Sequence, residues 1–119
     1  MKLKQVAKEY YSSHDYKNLR DETKAHYQYC LTNALATSVE AVVIGEVDVT
    51  KMSTKQAKLS YDLWCDRGIS TANHIMAVTR ILLNYAVRME HCNINPFATV
   101  RRRATQPRKV VWTKGDVKK

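Results

Sequence analysis

Three consecutive arginines, Arg101, Arg102 and Arg103, form the densest chemical group in this 119-residue sequence. Arg108, Lys109, Lys114, Lys118 and Lys119 follow against a single acid, Asp116, so most of the formal charge of +9 lies beyond position 100. A cationic segment beside a nearly neutral body suits the tracking of phosphates along a nucleic acid. A solvated end that only keeps the chain soluble is the plainer alternative. The other reactive residue types do not assemble into a catalytic set. Seven tyrosines are present, but a tyrosine nucleophile requires a positioned base and groups that stabilise charge. No P-loop, G-x-S-x-G or paired-carboxylate pattern accompanies them. Tyr10, Tyr11, Tyr61 and Tyr85 read as core aromatics with wet hydroxyls. Cys30, Cys65 and Cys92 are far apart and odd in number. They read as reduced, mostly buried thiols of a cytoplasmic protein. No zinc spacing occurs, and His91 and Cys92, as neighbours at a helix end, point in different directions. No metal or cofactor is expected.

Length allows one domain with a tail, and a modest core. Glycine and proline number three and two, which argues against a turn-rich β chain and against disorder. No apolar run approaches the ~18 residues of a membrane span, and the N-terminus lacks the apolar centre of a secretory signal.

The elements that must position the cationic segment are helices. Leu3, Val6, Ala7, Tyr10 and Tyr11 make one apolar stripe, ending near Ser12–Asp15. A second helix is expected from Asp21, whose acid and that of Glu22 suit the positive end of the dipole, to about Thr37. Tyr27, Leu31, Ala34 and Leu35 form its buried stripe, with Cys30 alongside. Residues 38–50 fit either a helix extension or a strand; a helical or irregular connection is preferred because a lone strand would have no pairing partner. Ser53-Thr54-Lys55-Gln56 fits a capping box opening a third helix, with Ala57, Tyr61, Leu63 and Trp64 facing the core and Gly68 after its end. Ser70 is expected to cap a fourth, with Ile75, Val78, Leu82, Tyr85, Ala86 and Met89 as its main stripe and Met76, Ile81, Leu83 and Val87 widening it. Asn73, Arg80, Asn84 and Arg88 remain as a narrow polar strip on one face. Asn95-Pro96 stops the regular structure. Lys109–Trp112 reads as a short strand, and Thr113–Asp116 as the cap of a further helix.

The order and spacing of these motifs resemble the core-binding domain of tyrosine recombinases, the phage-integrase family. Tyr16-Lys17-Asn18-Leu19 with Thr23 and Tyr27 resembles the family's second helix. Val47–Thr50 resembles the step before the third, Gly68–Asn73 the opening of the fourth, and Asn95-Pro96 its exit. Thr113–Val117 resembles the first helix of the catalytic domain. The pattern departs at Arg20, where the family often has Ser or Thr, and near Ala36 or Thr37, where it often has Gly.

The resemblance implies an all-α, four- to five-helix bundle (SAM-like) over residues 1–100. A basic linker and the start of a truncated catalytic domain would occupy 101–119. It implies that the bundle packs on one side of double-stranded DNA while the protein's own catalytic domain closes on the other. DNA-facing candidates carried over are Lys24 and Tyr27 on the second helix, and Ser70, Thr71, Asn73, His74 and Arg80 on the fourth. Arg101, Arg102, Arg103 and Lys109 would follow the backbone as the linker crosses the duplex. The chemistry is compatible. A helix N-terminus at Ser70 and Thr71 attracts phosphate, Asn73 can pair with adenine and Arg80 with guanine. The fragment itself would not be an enzyme, because the family's late catalytic Tyr and its Arg, Lys and His partners have no counterpart here. A phage- or prophage-encoded protein of the bacterial cytoplasm follows, with no membrane partner and a recombinase oligomer on DNA. Rival readings are a helical protein-interaction module whose basic tail binds an acidic partner, a small RNA-binding bundle, and a stand-alone enzyme.

Overall fold

Leu3, Val6, Ala7 and Tyr10 recur at helical spacing, and in the computed structural model, which describes residues 1–103, they are the buried face of α1 (Leu3–Tyr11). A short α2 (His14–Lys17) follows, capped by the Ser13 hydroxyl. Then come α3 (Asp21–Ala36), α4 (Thr54–Cys65) and α5 (Ile69–Arg88). The fold is a small all-α bundle. α5 is its central member and packs on α1, α3 and α4, as its nearly all-round apolar sequence requires. Ile75, Met76, Leu82, Leu83 and Ala86 are fully buried. The expected α5 stripe is too wide at two positions, Ile81 and Met89, which are exposed, as is Leu63 of α4, expected to face the core.

The segment after α3 differs from the expected connection. Ser38–Val39 (β1) and Val42–Val43 (β2) pair antiparallel with each other across a two-residue turn. The missing partner for a strand is therefore supplied by the segment itself. Glu40 and Ala41 both take positive φ, 52° and 65°, the turn geometry that matches strand twist in a tight hairpin. A single 3₁₀ turn, Ile44–Glu46, then drops Ile44 into the core. Gly45 makes this possible, because a Cβ there would stand 2.7 Å from the Leu35 carbonyl oxygen. Glu46 pairs with Lys2, the N-cap of α1, and with Lys4 inside it, and the Lys2 backbone forms an isolated antiparallel bridge with Asp48, so the first helix is fastened to this turn.

The capping box of α4 forms as expected, with Gln56 N–H bonded to the Ser53 hydroxyl and Ser53 N–H to the Gln56 side chain. α5 opens two residues earlier than expected. Gly68, at φ 130°, is its N-cap, and Ser70 lies inside the first turn without capping it. The α5 C-terminus carries a Schellman arrangement. His91 N–H reaches the Ala86 carbonyl and Glu90 N–H that of Val87, with Glu90 left-handed at φ 63°.

The chain does not leave the bundle at Asn95-Pro96. Pro96, Phe97 and Val100 are buried, and the Phe97 ring stacks on Trp64 at 5.8 Å. The Trp64 indole N–H donates to the Thr37 hydroxyl at 2.7 Å. Core α4, the end of α3 and the returning segment are thus joined through one side chain.

Candidate nucleic-acid interface

Three members of the polar strip of α5, Asn73, Arg80 and Asn84, are bonded to the returning segment. Arg80 donates through Nε to the Phe97 carbonyl at 2.9 Å, and through Nη2 to that of Val100. Asn84 accepts from the Asn95 amide at 2.9 Å, and the same amide also donates to the Arg80 carbonyl. Arg88 pairs with Asp15 on the opposite side. Arg80 and the Asn95 amide thus satisfy backbone carbonyls that would otherwise be left unpaired. Arg80, expected to pair with guanine, has its guanidinium bonded to two main-chain carbonyls of the returning segment.

Asn73, expected to pair with adenine, is likewise bonded within the chain. Its Oδ1 accepts from the Tyr61 hydroxyl at 2.6 Å, and its Nδ2 donates to the Arg103 carbonyl at 3.1 Å. The Tyr61 oxygen in turn accepts the Arg103 N–H at 2.6 Å. The hydroxyl read as wet is bonded on both sides. Burial pushes the Tyr61 phenol above its ordinary range, and Tyr10, Tyr11 and Tyr85 move the same way, Tyr10 to about 12. That direction is opposite to what a tyrosine nucleophile requires.

The exit is held where Asn73 holds it, one turn into α5, so residues 101–103 remain tied to the bundle. Arg103 also pairs with Asp62 at 2.8 Å. Arg101 and Arg102 are exposed, and with Lys58, Thr54 and Thr99 they line a cleft of about 420 Å³ between α4 and the exit. Lys109, and the strand and helix expected after it, lie outside the described residues.

The start of α5 is open on its other side. Ser70 and His74 are exposed and Thr71 is half-buried. His74 meets His26 of α3 edge to face at 5.4 Å, which brings the α5 opening beside the α3 turn carrying Lys24 and Tyr27. Tyr27 is half-buried against the core. Lys24 carries its ammonium 5.9 Å from the Tyr16 ring centre, within cation–π reach. The structure thus gathers Ser70, Thr71, His74, Lys24 and Tyr27 around one helix pair, and assigns Asn73 and Arg80 to holding the exit. The residues missed from sequence are Thr54 and Lys58; their spacing of four places both on one face of α4, but nothing local shows that the exit returns to it.

Among the described residues no group of three or more metal-ligating side chains occurs, and no helix is long and apolar enough to cross a membrane. In comparisons with known proteins, no family model, characterised protein or solved structure matches the chain.

Proposed function

We propose that this chain is a duplex-DNA-binding module of the tyrosine-recombinase type, a helical core-binding domain that grips a crossover site for strand exchange catalysed elsewhere in the protein. Its contact groups are the exposed opening of α5 (Ser70, Thr71, His74) with Lys24 and Tyr27 of α3 and, on the exit side, Arg101 and Arg102. The observation that carries the reading is the Asn73–Arg103 hydrogen bond. It fixes the Arg103 backbone one turn into α5, so the exposed Arg101 and Arg102 lie on a chain held near the positive end of a long helix, and cations and helix N-termini each attract phosphate. Asn73 and Arg80 act in it as positioning residues.

The experiment is a fluorescence titration of a mixed-sequence duplex across salt, with heparin and structured RNA as competitors. Affinity is expected to fall linearly with log salt. The Arg101/Arg102/Arg103 triple Ala variant is expected to flatten that slope by about 2–3 units, at ~0.9 per phosphate neutralised. An unchanged slope, or equal affinity for heparin and duplex, would overturn the reading.

A further inference from the structure

We infer that the cleft between the N-terminal half of α4 and residues 99–103 is a seat for a phosphate diester of the nucleic-acid backbone, gated by Asp62. The inference rests on the nucleic-acid reading and adds a second contact surface to it, on α4. Lys58, Arg101, Arg102 and Arg103 line the cleft with the hydroxyl residues Thr54 and Thr99, and Asp62 is the one acid among its lining residues. Thr54 is the first residue of α4, at the positive end of that helix dipole. Lys58 lies one turn further on the same face.

Asp62 already occupies the position of an anion. Its carboxylate accepts one hydrogen bond from the Arg103 guanidinium, through Oδ1 at 2.8 Å, a charge-assisted contact that a phosphate oxygen also makes. Among the described residues, the ion pairs include none for Lys58, Arg101 or Arg102. A diester entering the cleft meets those cations directly and competes with Asp62 for Arg103. The surface beyond that pair is less cationic: a neighbouring cleft shares Asp62 and Arg103 but is rimmed by Asp66 and by Glu40, which pairs with Lys55 at 3.3 Å. A polyanion is therefore favoured along the Thr54–Lys58 side over the hairpin side.

The test uses the whole chain, with inorganic phosphate and a mixed-sequence duplex as separate probes. Amide resonances are followed for both, and salt-dependent affinity for the duplex. Inorganic phosphate is expected to shift the Thr54, Lys58 and Thr99 signals. Lys58→Ala is expected to lower the duplex salt slope by about one unit. Asp62→Asn releases Arg103 and is expected to tighten duplex binding about 2- to 5-fold, the range of an exposed ion pair. A purely structural Asp62–Arg103 pair would give weaker or unchanged binding instead, and that result overturns the gate. Duplex binding with silent cleft amides and an unchanged Lys58→Ala slope removes the seat while leaving the proposed function standing. Phosphate shifts in the cleft without duplex binding keep the anion seat and remove the DNA reading. Silence towards both probes overturns both.

Discussion

The Tyr61 hydroxyl donates to Asn73 at 2.6 Å and accepts the Arg103 N–H at the same distance, so one phenol oxygen joins α4, α5 and the departing chain. Removing it leaves an amide oxygen and a backbone N–H without their partner. Tyr61→Phe is expected to lower stability by about 1–3 kcal/mol in urea unfolding. Asn73→Ala acts on the same bonds, so the double variant should fall short of the sum by on the order of 1 kcal/mol. Strict additivity would mean that the two residues do not act together.

Gly45 touches backbone, not a side chain that can swing away. Gly45→Ala places a methyl 2.7 Å from the Leu35 carbonyl oxygen and is expected to destabilise by about 1–3 kcal/mol. A thermal melt at the wild-type midpoint would show that α3 and the 3₁₀ turn separate without penalty.

Glu90 holds a left-handed conformation at the end of α5, φ 63°, where L side chains crowd the following carbonyl. Its side chain is exposed. Glu90→Gly is expected to stabilise by about 1 kcal/mol, since glycine removes that crowding and the position favours it. Chemical denaturation read by circular dichroism checks the sign.

The Asp48 carboxyl accepts from the Thr50 hydroxyl at 2.6 Å and from the Thr50 N–H at 2.9 Å. These bonds, the hydroxyl's first, lower its pKa from 3.8 to about 2. A depressed carboxyl contributes stability that is present above the unfolded value and lost as pH falls through the folded one. Wild type should therefore lose stability between about pH 4 and pH 2, and Asp48→Asn should reduce that loss while narrowing the gap between the two proteins towards pH 2. Parallel acid limbs for the two would contradict the assignment.

What the sequence made legible is local. Ser53 and Gln56 announce α4 because the two halves of the capping box lie three residues apart, and the apolar repeat of α5 is too regular for another element. What it concealed depends on partners far along the chain. Arg80 bonds carbonyls of Phe97 and Val100, and side-chain identity says nothing about where a carbonyl points. One signal was available. Phe97 and Val100, three apart beyond a proline stop, are apolar, and a departing linker has no use for such a pair. Residues 38–43 hid their hairpin for a different reason: Glu40 and Ala41 adopt positive φ without the Asn-Gly chemistry that normally marks such a turn.

The stacked contact of Phe97 on Trp64 carries a practical meaning for anyone trimming this polypeptide. A cut placed after α5, where helical periodicity ends, would strip one face of the indole and unseat the carbonyl staples made by Arg80. The smallest piece that can be expected to stay well packed therefore runs through Val100, a dozen residues past its final helix.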